Sequence, residues 1–212
     1  MNVLSSCLLY GIVDLGYVAP DRVATLTTQL IEGGIDMLQL RAKQCSKAEI
    51  VRFAEAMLPI TRRAGVPLIL NDHADLLRDI EADGCHVGQE DLSVNAARDL
   101  AGRNCTIGKS THSLSQAVAA EREGADYLGF GPLFPTATKP DAKPIGLNDI
   151  RAVYEQVKIP IFCIGGIKLE NLPGILLAGC KRVCIVSDLL LAPNVVNRTR
   201  EVKSLLVGQP GR

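Results

Sequence analysis

The chain has no tryptophan, and phenylalanine and tyrosine together make up 4% of it. So small a stock of aromatic rings argues against a platform on which successive nucleobases would stack. Net charge is also missing: 23 Lys and Arg balance 23 Asp and Glu. Nothing therefore draws the chain as a whole towards nucleic acid or an anionic membrane. No apolar run approaches the roughly 20 residues that span a bilayer. Met1 to Tyr10 has no basic segment ahead of its apolar stretch, which argues against a signal peptide and makes the cytoplasm the expected compartment. The seven cysteines form no C-x-x-C pair. Cys85, Cys105, Cys163 and Cys184 stand in apolar runs and read as small buried hydrophobes. A zinc site would need tighter clustering with histidine, and disulfides are not expected in a reducing compartment.

What is present is a regular alternation. Short apolar runs at Leu8–Val13, Asp36–Ala42, Leu68–Asn71, Gly84–Val87, Thr106–Ser110, Tyr127–Gly131, Ile161–Ile164 and Arg182–Val186 read as strands. Amphipathic stretches at about 21–33, 47–64, 74–81, 93–101, 114–123, 147–157, 169–178 and 188–206 read as helices between them. Alternating βα units imply a parallel sheet, and this number of them in 212 residues fits one (β/α)8 TIM barrel domain over 1–212. An open doubly wound sheet is disfavoured, because no G-x-G-x-x-G follows the first strand. No linker divides the chain, and 140–144 reads as a mobile loop.

In such a barrel the active site stands at the C-terminal ends of the strands. Gln39, Arg41 and Lys43 alternate along the second strand and share one face, towards the interior or mouth. Charge there is costly unless an anion or ligand meets it; the bland alternative is a solvated strand end. Asp72 ends the third strand and Asp91 follows the fourth. Together they suit a hard cation such as Mg2+, which takes one or two carboxylates and completes its shell with water and phosphate oxygens. Taken singly, Asp72 could cap a helix and Asp91 a turn. Ser110, after the fifth strand, is placed to donate to a phosphate oxygen. His112 reads as structural or exposed, and His73 and His86 receive no catalytic role. After the sixth strand, Pro132 and Pro135 stiffen a loop carrying Thr136, Thr138 and Lys139, two hydroxyls and a cation suited to a highly charged oxyanion. Gly165-Gly166 and Ser187 follow the last two strands, the usual phosphate position of this fold, although a glycine pair also makes a plain turn. Two anion-binding zones result. No Ser-His-Asp or Cys-His set is visible, and a reaction driven by loss of diphosphate needs none.

These segments resemble the thiamine-phosphate synthase (thiamine-phosphate pyrophosphorylase) family. The resemblance runs from Tyr10 to Ser187, through Q-L-R-A-K at 39–43, N-D at 71–72, A-D-G-C-H-V-G-Q-E-D at 82–91, I-G-K-S-T-H at 107–112, Y-L-G-F-G-P-L-F-P-T-A-T-K at 127–139, I-G-G-I at 164–167 and V-S at 186–187. It implies a transferase of thiamine biosynthesis. The enzyme would join 4-amino-5-hydroxymethyl-2-methylpyrimidine diphosphate to 4-methyl-5-(2-phosphoethyl)thiazole, or its carboxylated form, and release diphosphate by a dissociative route. By the same resemblance Gln39, Leu40, Arg41, Ala42, Lys43, Asn71, Ser110 and Lys139 hold the pyrimidine diphosphate. Arg41, Lys43, Ser110 and Lys139 are the catalytic set. Asp72 and Asp91 hold one Mg2+ per subunit. Thr136, Ala137, Thr138, Gly166, Val186 and Ser187 hold the thiazole phosphate. The partners implied are small molecules, without nucleic acid or membrane; homo-oligomerisation is left open.

Three places depart from the family pattern. Lys109 stands where a small apolar residue is common, Lys181-Arg182 replaces an acidic-glycine pair, and Asp188 follows Ser187 where a small residue is usual. An acid at a helix N-terminus is locally favourable, yet Asp188 would oppose a phosphate bound there. The alternatives are a thiazole tautomerase-like isomerase on the same barrel, mildly favoured by Lys109 and His112, and a non-catalytic thiamine-phosphate-binding protein. Asp72, Asp91 and T-A-T-K weigh against both. A phosphosugar isomerase or epimerase rests on the fold alone.

Overall fold

A computed structural model describes residues 3–139 and 141–208. Pro140, where the expected 140–144 loop begins, lies outside the described residues. Eight parallel strands close into a barrel, each paired with the next and the last with the first. They are β1 (Leu9–Asp14), β2 (Met37–Arg41), β3 (Leu68–Asn71), β4 (Gly84–Val87), β5 (Thr106–Thr111), β6 (Tyr127–Phe130), β7 (Ile161–Ile164) and β8 (Val183–Ile185). Their residues are almost all buried, as expected of parallel strands covered on both faces. The expected (β/α)8 architecture is thus the one observed. None of the described helices is long and apolar enough to cross a membrane.

The outer layer comprises α1 (Val23–Glu32), α2 (Lys47–Ala64), α3 (Leu77–Ile80), α4 (Val94–Ala101), α5 (Leu114–Arg122), α6 (Ile150–Gln156), α7 (Leu172–Leu177), α8 (Ser187–Leu190) and α9 (Val195–Val207). Side-chain caps start several of them. Ser46 and Glu49 form a reciprocal capping box on α2, and Ser93 and Ser113 cap α4 and α5. Each such cap contributes about 1 kcal/mol.

Two expected helices come out differently. The 74–81 segment is a 3-10 turn, Ala74–Leu76, followed by the single turn of α3. The helix expected over 188–206 is two helices, α8 and α9. Pro193 cannot donate a backbone hydrogen bond, and the Asn194 carboxamide oxygen accepts from the Asn197 amide at 2.9 Å, so a second helix begins there.

At the N-terminal end of the barrel, aspartates tie the strands together. Asp36, just before β2, accepts from Leu8 and Leu9 N–H at 2.8 and 2.9 Å. Asp83, before β4, accepts from Leu68 at 2.8 Å. Asp126, before β6, accepts from Ile107 at 2.7 Å and from Arg98 at 2.9 Å. Each carboxylate satisfies an amide that the ladder leaves over where a strand begins. At that same end Arg182 braces the N-terminal segment through the Cys7 and Ser5 carbonyls, at 3.0 and 2.8 Å. Lys181 lies over the Tyr154 ring, 5.8 Å from its centre. Both departures before β8 therefore serve the fold, away from the cavity.

Candidate active site

A cavity opens at the C-terminal ends of the strands and holds about 900 Å3 of atom-free space, open mouth included. Tyr10 lines its floor, backed by two fully buried rings. Tyr10, Tyr127 and Phe162 meet edge to face at centroid distances of 5.4–5.8 Å, a favoured arrangement for such rings. Gly108 makes room for them: a Cβ there would stand 2.2 Å from the Tyr127 ring.

Above the rings runs a chain of neutral hydrogen bonds. Gln39 Nε2 donates to the Tyr10 hydroxyl at 2.5 Å. Tyr10 meets the Tyr127 hydroxyl at 3.0 Å, Tyr127 meets His86 Nδ1 at 3.1 Å, and His86 Nε2 meets Ser110 Oγ at 2.9 Å. Burial, then the charges of Lys139 and Lys109, push His86 down to about 3, so its ring is neutral at pH 7 with a proton on one nitrogen. Burial holds both tyrosines protonated. One arrangement then gives every buried proton an acceptor. Tyr10 accepts from Gln39 and donates to Tyr127. Tyr127 donates to Nδ1, so Nε2 carries the ring proton and donates to Ser110. The Ser110 hydroxyl proton is left to point into the cavity.

Charges occupy the rim above. Arg41 lines the cavity, and its guanidinium donates to the buried Asp14 at 2.6 Å. The β1–β2 register sets the two directly opposite. The anion that a buried Arg41 demands is therefore supplied in part by the protein, and Asp14 also accepts from Gly16 N at 2.9 Å. Lys43 lies at the lip, half-exposed, 3.2 Å from Asp72. Lys139 reaches the same rim from the loop after β6; burial and the neighbouring Lys43 and Arg41 lower its pKa against the pull of Asp72 and Asp91.

Asp72 and Asp91 meet carboxyl to carboxyl. Burial first, then the Asp91 charge, raises Asp72. Asp91 is lowered: burial acts upward on it, but the Gly88 amide, donating at 2.8 Å, and the Asp72 carboxyl outweigh that. Asp72 holds this position with a left-handed backbone, φ 65°, which aspartate tolerates better than most residues. Two carboxylates forced together beside Lys43 and Lys139 make a donor set that fits a hard divalent cation. Among the described residues no group of three or more His, Cys, Asp or Glu is arranged to hold a metal ion, so the protein would supply this pair and leave the rest of the shell to water and substrate oxygens.

The opposite wall comes from the loops after β6, β7 and β8. Thr136 and Thr138 line it with Gly166, Val186 and Ser187. The loops after β6 and β7 are laced by Leu133 N–H to Ile164 O at 2.9 Å and Phe134 N–H to Gly165 O at 3.1 Å. The glycine pair permits that approach. At Gly166, φ is +64° and a Cβ would stand 2.6 Å from Pro135 O. Thr138 is latched to Tyr17, hydroxyl to hydroxyl, at 2.9 Å. Asp188 does not face this wall unopposed: it accepts from Leu169 N at 3.1 Å and pairs with Arg198 at 3.3 Å.

Of the expected site residues, Gln39, Arg41, Asn71, Ser110 and Lys139 stand on the cavity wall with Thr136, Thr138, Gly166, Val186 and Ser187. Leu40 and Ala42 are buried in the hydrophobic core, because alternate strand residues face the helices. Lys43, Ala137, Asp72 and Asp91 are not among the wall residues. The sequence reading passed over Tyr10, Asp14, Tyr17 and Tyr127, and it considered His86 only to give it no catalytic role. An aspartate at a strand's C-terminal end, as at Asp14, was the available signal. His112, read as structural or exposed, lies on the wall with Nδ1 against the Gly131 carbonyl. Lys109 faces away from the cavity.

A closed parallel barrel whose C-terminal rim sets cations and an acidic pair opposite a hydroxyl- and glycine-lined wall defines a barrel enzyme for phosphorylated ligands. The family described as thiamine monophosphate synthase matches residues 9–189, and the chain belongs to that family. It is 42% identical to a thiamine-phosphate synthase of Chloroflexus aurantiacus over 93% of this chain and 92% of that one. It is 40% identical to a thiamine-phosphate synthase of Halalkalibacterium halodurans, over 91% of this chain and 92% of that one. The solved thiamine phosphate pyrophosphorylase of Pyrococcus furiosus superposes with a TM-score of 0.90 at 32% identity, covering 99% of this chain and 100% of that one.

Proposed function

We infer that this chain is a thiamine-phosphate synthase, joining the pyrimidine diphosphate to the thiazole phosphate with release of diphosphate. The observation that carries this reading is the rim. Lys43 and Lys139 stand at the Asp72–Asp91 pair, with Arg41 beside Lys139, a charge arrangement suited to binding and releasing a diphosphate. An isomerase acting on the thiazole alone would have no need of it.

In this reading Gln39 and Asn71 orient the pyrimidine over the aromatic floor, and the inward-pointing Ser110 hydroxyl donates to it or to its diphosphate. Arg41, Lys43 and Lys139 bind the diphosphate oxygens. Asp72 and Asp91 would hold Mg2+, which when bound neutralises charge on the diphosphate as it departs. The methylene C–O bond breaks and its electron pair leaves with diphosphate. The pyrimidine amino group shares the resulting positive charge. The thiazole nitrogen lone pair then forms the C–N bond, with Thr136, Thr138, Gly166 and Ser187 holding the thiazole phosphate in line. No proton is transferred, which agrees with a neutral His86 and with a floor whose protons are all committed. Holding both reactants in one cavity supplies the orientation term.

The test is diphosphate release by the purified protein with both substrates and Mg2+, omitting each in turn. Release that requires all three, with thiamine phosphate identified by mass, supports the reading. Metal-independent conversion of the thiazole alone would replace it with the tautomerase.

A further inference from the structure

Lys109 is a buried lysine that the proposed chemistry does not use. It lies on β5 between inward-facing Gly108 and Ser110, so its side chain points outward, yet it is only 6% exposed. Its ammonium donates to Gly88 O at 2.8 Å and to Leu92 O at 3.2 Å. None of the ion pairs among the described residues includes it. Burying an ammonium on two neutral carbonyls is costly, and an apolar side chain would fill the space without that cost.

The two carbonyls locate what the charge does. Gly88 and Leu92 bracket the turn after β4, and Asp91 lies inside it. The Asp91 carboxylate accepts from the Gly88 amide at 2.8 Å. The β4–β5 register sets Val87 opposite Lys109, so the lysine starts from the strand pair that the turn leaves. The turn is therefore held twice: from within by Asp91 on Gly88 N, and from outside by Lys109 on the two bracketing carbonyls. Asp72 directly follows β3 and is fixed by its own amide, which donates to His86 O at 2.9 Å. Asp91, by contrast, is exposed and must be brought to Asp72 against like-charge repulsion. A clamp on its turn offsets that repulsion.

We propose that Lys109 is a positioning residue: it clamps the 88–92 turn, presents Asp91 beside Asp72, and so sets the affinity of the carboxylate pair for a divalent cation. The proposal rests on the reading of Asp72 and Asp91 as cation ligands, and the experiment separates the two. Mn2+ binding to the full-length protein is followed by the electron paramagnetic resonance of free Mn2+, for the wild type, Asp91→Asn and Lys109→Met. Groups that orient metal ligands from behind typically contribute about 10–100-fold to affinity. The expected result is Asp91-dependent binding in the wild type, weakened at least about tenfold by Lys109→Met. The Mg2+ concentration for half-maximal activity should rise in parallel, with KM for the thiazole phosphate unchanged. Faster amide exchange over 88–92 should accompany the loss. If Lys109→Met does not fold, Lys109→Leu, which fills the space and donates nothing, serves instead. Asp91-dependent binding that either folded variant retains within about twofold overturns the proposal. Binding indifferent to Asp91→Asn overturns both the proposal and the cation-ligand reading beneath it.

Discussion

Aspartates stand at both ends of the barrel, and they do opposite things. At the N-terminal end Asp36, Asp83 and Asp126 each accept from backbone amides that would otherwise lack a partner. At the C-terminal end Asp72 and Asp91 face one another, and burial and mutual repulsion raise Asp72. The same residue type ties strands together at one end, while at the other Asp72 is held at a cost to the fold. In this barrel architecture stability is written at the bottom face and chemistry at the top. Substitutions at the two ends should therefore separate activity from stability.

The largest effect is expected at the top. Asp72→Asn or Lys139→Ala should lower kcat for diphosphate release by about 10^3-fold, the scale seen when one well-placed stabilising group is removed from a reacting centre. Stability should change little: Asp72→Asn relieves repulsion from Asp91 and loses only a half-exposed pair with Lys43, a contribution of about 1 kcal/mol or less. Steady-state kinetics beside urea unfolding checks both halves. A large loss of stability would make Asp72 a structural residue like its counterparts below.

At the bottom the pattern should invert. Asp126→Ala leaves the Ile107 amide without its acceptor and removes one of three acceptors from the Arg98 guanidinium, at a cost of about 1–3 kcal/mol. The midpoint of urea unfolding should fall, while kcat measured well below the melting temperature stays within about twofold of wild type.

The floor of the cavity lies between these extremes. His86 is held near 3 by burial, against an ordinary 6.5. Between those values the unfolded chain binds a proton that the folded one refuses, so stability falls as pH drops from about 6.5 towards 3. The slope from this group is about 1.4 kcal/mol per pH unit. His86→Gln cannot take up that proton. Its stability should decline more gently than wild type between pH 6.5 and 5, above the range where carboxylates titrate. Parallel curves would mean that His86 is not the buried neutral base of the floor.

Much of this was legible in the sequence, for physical reasons. Strand limits followed from apolar runs that must be buried on both faces, and β3, β4 and β7 match them residue for residue. Period-two alternation placed Gln39, Arg41 and Lys43 on one face. Leu40 and Ala42 joined the site through the family resemblance alone, and the same alternation turns them into the outer core. The floor was not legible, because Tyr10, His86 and Tyr127 come from strands far apart in sequence and gain meaning only when the barrel closes. Lys109 mildly favoured an isomerase as a departure from the family pattern; its strand parity, opposite to Ser110, already pointed it outward. The α8–α9 break was marked by Pro193-Asn194, a stop and a cap in succession, which the apolar periodicity on either side obscured.

The smallest effect should come from the third departure, Asp188. As a bare charge at the start of α8 it would repel a phosphate held by Gly166 and Ser187. The structure gives it two partners, the Leu169 amide and Arg198. Arg198 also reaches Glu170 at 3.0 Å, so one guanidinium ties α9 to both the loop after β7 and α8. Arg198→Met keeps most of the side chain's packing and removes the charge. Asp188 then opposes the phosphate with only a backbone amide to screen it. A partly exposed pair of this kind contributes about 0.2–1 kcal/mol, so KM for the thiazole phosphate should rise by up to about fivefold, with KM for the pyrimidine diphosphate unchanged. The double variant with Asp188→Asn should restore it, since the repelling charge is gone. A rise in both KM values together would place the effect in the fold of the rim, and Asp188 would then belong with the structural aspartates of the opposite end.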